Sequence, residues 1–244
     1  MQDFARYYKR QVAAAGVELV ESGMVVGLGS GSTAEVMIEL LAERVAQEGL
    51  DIAAIATSVN SANLAEKLGI RLVSFDQYVS IDLTLDGADE IHPTRLDLIK
   101  GLGAALWREK IVAACSDRLV ILADESKIVS YLGERSPVPV EVAQFGWQTT
   151  RHHIMELFDG AEAELRQKAG KPLVTDGGNY ILDCRFGEIA EPEELDMLLT
   201  TLPGVVVTGI FCRFAEHAIV AGEKGVRMIE PVHIDYDPHD VGMA

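Results

Sequence analysis

Short apolar segments alternate along the first half of the chain with segments whose apolar residues recur at helical spacing, and this alternation constrains the fold most. The pattern predicts helices at 3–21, after Thr33 to about 47, at 61–68 and at 104–115, and strands at 24–28, 52–56, 71–74, 81–85 and 119–123. Such alternation is typical of a parallel sheet that binds ligands beyond the carboxyl ends of its strands. We therefore expect an α/β fold with a Rossmann-like, mostly parallel sheet and helices on both faces.

The pattern changes after the segment Ser136-Pro137-Val138-Pro139. Later segments predict helices at about 147–158 and 192–200 and strands at about 161–167, 180–184 and 205–209, which suit a smaller α+β (ferredoxin-like) domain. Apolar runs at 218–221 and 226–229 are expected to rejoin the first sheet. The prediction is a Rossmann-like domain of residues 1–136 and 207–244, with a smaller domain of residues 137–206 inserted in it. The tail VHIDYDPHDVGMA is expected to be a peripheral extension.

Acidic residues outnumber basic ones by 38 to 21 in this chain of 244 residues, which gives a net charge of −17 with histidine neutral. Such a surface repels polyanions and anionic membranes, so neither nucleic acid nor a membrane is an expected partner. A phosphorylated ligand would need a local positive site that overrides this field. Hydrophobic residues make up 48% of the chain, enough to build a core, and disorder is not expected.

The cysteines and the N-terminal segment indicate a compartment. Cys115, Cys184 and Cys212 are widely spaced and lack a CxxC pattern, which favours reduced thiols over disulfides or a metal site. The N-terminal segment has no long apolar run, so we expect it to be part of the fold and not a targeting signal. The prediction is a cytoplasmic protein.

A glycine-rich turn, GLGSGST at 27–33, lies between a predicted strand and a predicted helix. Backbone N–H groups and the positive end of a helix at such a place bind anions, phosphate above all. The turn lacks the Gly-Lys-Ser/Thr of a Walker A loop, and Ser32 occupies the third glycine position of the dinucleotide pattern. The hydroxyls of Ser30, Ser32 and Thr33 therefore suit a monophosphate. A tight turn with a Ser/Thr helix cap is the alternative.

A second segment, LDGADEI at 85–91, places three carboxylates just beyond a predicted strand. Crowded carboxylates repel one another, which raises the pKa of at least one of them and favours proton transfer. Metal binding is a rival hypothesis, although only His92 stands nearby as a further ligand. An Asx turn with solvated charges is the structural alternative.

A third segment, KGLGAALWREK at 100–110, carries a glutamate on the apolar side of a predicted helix. Ala105, Glu109 and Val112 share one face, and partial burial there would raise the pKa of Glu109 toward the range of a general base. Lys100 precedes two glycines and could stabilise an oxyanion. The alternative is an ordinary surface pair of Glu109 with Arg108 or Lys110.

Two further lysines are weaker candidates. Lys127 follows the most apolar predicted strand within ADESK at 123–127, where it could contact an anion, although a surface lysine is the ordinary interpretation. Lys9, inside the first predicted helix, is a still weaker candidate for a phosphate contact.

These segments, in this order, resemble the type A family of ribose-5-phosphate isomerases. The family pattern consists of a G-x-G-T-G-S-T turn, D-G-A-D-E, K-G-G-G-A-A-L-x-R-E-K, A-D-x-S-K and P-V-E-V. The chain has GLGSGST, DGADE, KGLGAALWREK, ADESK and PVEV at 139–142, and VTDGGNYILD at 174–183 and LPGVVVTGIF at 202–211 are similar too. Five ordered motifs over nearly the whole chain are far more specific than any one of them.

The resemblance implies interconversion of D-ribose 5-phosphate and D-ribulose 5-phosphate in the non-oxidative pentose phosphate pathway, without a metal or organic cofactor. It assigns proton transfer to Glu109, ring opening and hydroxyl proton transfer to Asp86 and Asp89, and support of an enediolate to Lys100. The residues implied to bind substrate lie in four of the motifs: Ser30, Gly31, Ser32, Thr33, Gly87, Ala88, Gly101, Leu102, Gly103 and Lys127. The family also implies a homodimer or homotetramer.

Three positions depart from the family pattern. Ser30 replaces a threonine and keeps the hydroxyl, Leu102 replaces the middle glycine, and Trp107 replaces a smaller residue beside Glu109. None of these changes removes a group that the chemistry requires.

Competing hypotheses come from related α/β folds. A sugar-phosphate sensor would keep the phosphate-binding turn but lose the base, and the acidic chain offers no basic recognition helix for DNA. An aminosugar-phosphate isomerase-deaminase would normally bring a histidine into the site, whereas a CoA-transferase would use its glutamate as a nucleophile.

Overall fold

A computed structural model describes residues 2–232 of the chain. Within that range the helices are α1 (Gln2–Val17), α2 (Ser32–Glu48), α3 (Val59–Lys67), α4 (Leu106–Ala114), α5 (Trp147–Leu157) and α6 (Pro192–Thr200), with a short 3-10 helix at Glu125–Lys127. The strands are β1 (Val25–Leu28), β2 (Ala53–Ala56), β3 (Leu83–Asp86), β4 (Glu90–Ile91), β5 (Leu98–Ile99), β6 (Leu119–Asp124), β7 (Val138–Val142), β8 (Glu162–Leu165), β9 (Gln167–Lys168), β10 (Lys171–Pro172), β11 (Tyr180–Arg185), β12 (Val205–Thr208), β13 (Ile210–Phe211), β14 (His217–Gly222) and β15 (Gly225–Ile229).

The central sheet has six strands in the order β15-β14-β6-β3-β1-β2. All neighbours in it are parallel except β15, which pairs antiparallel with β14. The carboxyl ends of β1, β3 and β6 therefore lie side by side, and the segments that follow them share one edge of the sheet. As predicted, the last two apolar runs rejoin this sheet.

Helices cover both faces of the sheet because successive strand residues point to opposite sides. Val26 and Leu28 of β1 pack in a core with Val12 of α1 and Met37 of α2, whereas Val25 packs on the other side in a core shared with α4. The expected fold class, an α/β protein with a mostly parallel central sheet, is confirmed. No helix in residues 2–232 is long and apolar enough to cross a membrane.

A separate sheet is antiparallel, with the strand order β12-β7-β11-β8. Ile154 of α5 and Leu199 of α6 pack with its strands in a second core. The division of the chain into two domains stays a prediction. Because β12 belongs to this sheet, we propose that the second boundary follows Thr208 instead of residue 206.

Several local predictions were wrong. The segment predicted as a strand at 71–74 forms only an isolated bridge between Leu72 and Ala54 before a turn at Ser74. Helix α3 begins at Val59, earlier than expected, because the Ser58 hydroxyl caps it by accepting the Ser61 N–H. Strand β7 was not predicted; it contains Pro139, a residue that is uncommon inside a sheet because it lacks an N–H donor. The tail from residue 233 lies outside the described residues.

Candidate active site

A cavity of about 400 Å³ opens at the carboxyl edge of the central sheet, where β1, β3 and β6 end. It brings together residues from four of the five ordered motifs. Its lining consists of Lys9, Ser30, Gly31, Ser32, Thr33, Gly87, Ala88, Asp89, Lys100, Gly101, Gly103, Glu109, Leu122, Ala123, Asp124, Ser126 and Lys127. Twelve of the predicted site residues are in this lining, and Asp86 and Leu102 are not.

The glycine-rich turn passes from β1 to α2 directly beside β3. A Cβ at Gly29 would stand 2.1 Å from Asp86 Oδ1, so only glycine lets the two strand ends approach this closely. Gly31 occupies the N-cap of α2 and has no side chain with which to cap it. The hydroxyls around it are therefore not used as a Ser/Thr cap, which was the structural alternative for this motif.

Hydroxyl and lysine groups complete this side of the cavity. Ser30 Oγ lies 2.7 Å from Thr57 Oγ1, and Thr57 in turn donates to the Leu28 carbonyl. Lys9 Nζ of α1 donates to Ser32 Oγ over 2.7 Å. A positive charge therefore stands beside the N-terminus of α2, where an anion would be stabilised.

Asp86 and Lys100 form a buried ion pair beneath the cavity. Lys100 Nζ donates to Asp86 Oδ2 over 2.9 Å and to the Gly87 carbonyl over 2.5 Å. Asp86 Oδ1 accepts the N–H groups of Ser30 and Gly87 over 3.0 and 2.7 Å. With all its contacts on protein groups, Asp86 fixes the ammonium group and the turn.

Glu109 of α4 lies on the other side of that ammonium group. The residue is 5% exposed, and its Oε2 atom lies 3.7 Å from Lys100 Nζ without a hydrogen-bond partner. Burial raises the pKa of Glu109 to about 8, Lys100 opposes the rise, and the negative charges of Asp86 and Asp89 add to it. The sequence-based expectation of a buried glutamate is confirmed, and a surface pair with Arg108 or Lys110 is excluded.

The pKa of Lys100 also changes, although the two main causes oppose each other. Burial lowers it, but the carboxylates of Asp86 and Glu109 outweigh burial, so the pKa of Lys100 is raised. Lys100 is therefore a fixed positive charge at neutral pH.

Asp89 stands at the mouth of the site. Its Oδ2 atom accepts the Leu102 N–H over 2.9 Å, which ties it to the glycine-rich loop before α4. Burial raises the pKa of Asp89, whereas the Leu102 N–H and the positive charges of Lys100, Lys127 and Arg166 oppose the rise. Because Leu102 is exposed and outside the lining, its backbone and not its side chain contributes to the site.

Lys127 reaches the cavity from the end of β6. Asp124, the last residue of that strand, caps the short 3-10 helix Glu125–Lys127 by accepting the Ser126 N–H over 3.0 Å. This cap turns the chain so that Lys127 lines the same cavity as Lys9 and Ser32.

Trp107 lies on the side of α4 away from the cavity. Its ring occupies the space where a Cβ at Gly177 would stand, 2.5 Å from ring atom Cε3. The tryptophan that departs from the family pattern therefore packs against the loop before β11 and not against the reacting groups.

Comparison with known proteins gives the family. A family model described as ribose 5-phosphate isomerase A (phosphoriboisomerase A) matches residues 53–225. The chain belongs to this family. Ribose-5-phosphate isomerase A from Gloeobacter violaceus is 52% identical to it over 223 residues, which are 91% of this chain and 96% of that protein. The family resemblance inferred from the motifs, and with it the expected isomerase, is confirmed.

Solved structures of ribose 5-phosphate isomerases have the same fold. That of ribose 5-phosphate isomerase A from Methanocaldococcus jannaschii has a TM-score of 0.87 and 40% sequence identity, and the match covers 92% of this chain and 98% of that one. A D-ribose-5-phosphate isomerase in complex with phospho-erythronic acid has a TM-score of 0.88 and 38% identity, with coverage of 93% and 99%.

Two residues that contribute to this candidate site had no clear signal in the sequence. Thr57, which contacts Ser30 through its hydroxyl, lies outside all of the motifs. Arg166 comes from the antiparallel sheet, more than 60 residues beyond the loop that it contacts, and pattern reasoning has no means of pairing them. Residues 2–232 contain no cluster of His, Cys, Asp or Glu that could hold a metal ion.

Proposed function

We propose that the protein interconverts D-ribose 5-phosphate and D-ribulose 5-phosphate through an enediolate, with Glu109 as the proton-transferring base. The observation that carries the proposal is the buried, unpartnered Oε2 atom of Glu109, 3.7 Å from a lysine ammonium group and in the lining of the cavity. Membership of the isomerase family supports ribose 5-phosphate isomerisation. The relative that binds phospho-erythronic acid supports a sugar phosphate as the ligand.

The reaction needs one proton to move between carbons and one between oxygens. Ionised Glu109 removes the proton from C2 and later returns it to C1, while Lys100 stabilises the negative charge on the intermediate. Asp89 transfers a proton between the sugar hydroxyl and the oxygen on the neighbouring carbon, and Asp86 holds Lys100 in place. No atom is gained or lost, so the balance requires no co-reactant.

The phosphate is assigned to the hydroxyl-rich turn at Ser30–Thr33, with Lys9 and Lys127. These groups line the same cavity as Glu109, so phosphate binding would hold the sugar in place for proton transfer. Without such local positive charge, a dianionic substrate would be repelled by a chain of net charge −17. A cytoplasmic location and a homodimer or homotetramer remain predictions of the sequence.

The test follows the equilibration of ribose 5-phosphate with ribulose 5-phosphate by the wild type and by Glu109→Gln, with and without EDTA. Loss of a general base costs about 10²–10⁴ in rate. We expect rapid wild-type turnover in EDTA and a fall of that size in Glu109→Gln. Glu66→Gln, at an exposed glutamate of α3, is the matched control and should retain wild-type activity.

Two results would contradict the proposal in different ways. A Glu109→Gln variant within about tenfold of wild type would remove Glu109 as the base. Binding of ribose 5-phosphate without wild-type turnover would instead indicate a sensor or a different sugar-phosphate substrate.

A further inference from the structure

An arginine of the antiparallel sheet contacts the glycine-rich loop beside the cavity. Arg166 follows β8, and its Nη1 atom donates to the carbonyl oxygens of Gly101 and Leu102 over 2.7 and 3.1 Å. Its side chain is only 11% exposed. The loop that it holds leads from Lys100 to α4 and thus connects two groups of the proposed proton-transfer site.

The guanidinium group is itself held in a fixed orientation. Asp183 of β11 accepts from Arg166 Nε over 2.9 Å and also from Nη2. Two parallel hydrogen bonds between an arginine and a carboxylate fix the plane of the guanidinium group, which a single contact does not do. Arg166 therefore presents Nη1 to the loop at a defined angle.

The far side of the same loop is attached to Asp89. The Leu102 N–H donates to Asp89 Oδ2 over 2.9 Å, while the carbonyls of Gly101 and Leu102 point to Arg166. Gly101 has φ = 107°, a conformation that few residues other than glycine adopt. A change at Arg166 would move the peptide that orients Asp89.

We propose that Arg166, held by Asp183, is a positioning residue for the isomerase: it fixes the Gly101–Leu102 peptide and thereby orients the Asp89 carboxylate toward the substrate. This inference rests on the proposed function. Arg166 is not in the lining of the cavity, so it acts through the loop. Its positive charge also opposes the burial-driven rise in the pKa of Asp89, as do the Leu102 N–H, Lys100 and Lys127.

The decisive experiment is a double-mutant cycle on kcat and KM with Arg166→Met, Asp89→Asn and the double variant. A displacement of about 1 Å at a reacting group can cost about 10² in rate. We expect Arg166→Met to lower kcat by about 10- to 100-fold and to change KM much less. If it acts through Asp89, adding Arg166→Met to Asp89→Asn should cost less than about threefold.

Two further variants separate positioning from charge and from folding. Arg166→Lys keeps the charge but loses the two-pronged geometry, so it should remain impaired in kcat. Arg151→Met is the matched control, because Arg151 donates to the Ala163 carbonyl, away from the glycine-rich loop. It should lower the melting temperature without lowering kcat.

Additive losses in the double variant, or full activity in Arg166→Met, would overturn the proposal. Should Arg166→Met fail to fold, Asp183→Asn is the substitute, because it leaves the arginine in place but weakens its fixation. We expect Asp183→Asn to lower kcat by a smaller factor, and to have no such effect when it is added to Asp89→Asn. Additivity there would equally overturn it. Wild type and Glu109→Gln are assayed in parallel, so that a failure of the proposed function is recognised independently.

Discussion

The two ends of the cavity use charge in opposite ways. At the proton-transfer centre, defined by Asp86, Lys100 and Glu109, the side chains are at most 5% exposed and surround one ammonium group with two carboxyls. At the proposed phosphate-binding end, defined by Ser30–Thr33 with Lys9 and Lys127, the groups are half-buried or exposed and the charges are positive. The first end therefore combines buried charges of both signs, whereas the second has accessible positive charges.

This difference indicates which end affects which kinetic constant. Fixed charges in a site that excludes water act most strongly on charge that develops during the reaction, and thus on kcat. In the proposed reaction the accessible lysines contact a phosphate that has the same charge before and during the reaction, so they are expected to contribute mainly to binding. The following substitutions test this separation.

The largest effect is expected for Lys100→Met. This change removes the only cation beside Glu109 among the described residues and leaves Asp86 as an unpaired buried carboxylate. Loss of a single oxyanion-stabilising group costs about 10²–10³ in kcat, and we expect a fall of at least that size with a smaller change in KM. Steady-state kinetics measure both, with Lys67→Met on α3 as the control. A change confined to KM would abolish the distinction between the two ends.

The pH dependence of kcat/KM tests the state of Glu109. Since the base must be ionised and burial raises its pKa to about 8, kcat/KM should rise about tenfold per pH unit up to that pKa. In Lys100→Met this rising limb of the kcat/KM profile should move to higher pH. The charge of Lys100 lowers the pKa of Glu109, whereas the charges of Asp86 and Asp89 raise it. Lys127→Ala should leave the limb in place. A wild-type limb near the ordinary glutamate value would show that Glu109 is ionised at neutral pH.

The fold class and the position of the cavity could largely be predicted from the sequence. Strands β1, β3 and β6 were predictable because each is an apolar run with a turn after it, and parallel pairing then brings their following segments to one edge. The face of α4 followed from the spacing of Ala105, Glu109 and Val112. The fold class and most of the cavity lining could therefore be predicted.

The partners of these groups could not be predicted in the same way. The role of Asp86 in ring opening and hydroxyl proton transfer stays a prediction, but its contacts with the Ser30 and Gly87 N–H groups, beside the closely approaching Gly29, had no signal in the sequence. Arg166 reaches the loop from another sheet, a contact that depends on how distant segments pack. Periodicity reports which face of an element is apolar, but it does not report which distant element covers that face.

A smaller effect, on binding, is expected for Lys127→Ala. A charge-assisted hydrogen bond contributes about 1.5–3 kcal/mol, so KM for ribose 5-phosphate should rise about tenfold or more while kcat changes little. Lys9→Ala should act in the same direction, and Lys67→Ala, at an exposed lysine of α3, should have no effect. Steady-state kinetics at fixed ionic strength give both constants. An unchanged KM in Lys127→Ala would remove this residue from the phosphate-binding end.

The smallest effect concerns stability and is independent of catalysis. Burial raises the pKa of Glu109 from 4.5 to about 8, so folding takes up a proton between these values. The free energy of unfolding contributed by this group is therefore fully present below about pH 4.5 and is lost as the pH rises through about 8. Glutamine does not ionise and avoids that loss. The melting temperature of Glu109→Gln, minus that of the wild type, should thus increase from about pH 5 to about pH 9.

The expected size follows from the length of the chain. In a protein of this size, about 1 kcal/mol corresponds to ~2–4 °C in melting temperature, so a rise of several degrees is expected. Glu66→Gln, at an exposed position, should give a difference that does not depend on pH. A flat difference for Glu109→Gln would mean that Glu109 keeps an ordinary pKa in the folded protein. The proton-transfer centre would then hold a Glu109 carboxylate that is ionised at neutral pH. It would differ from the proposed phosphate-binding end in burial but not in its effect on the pKa of Glu109.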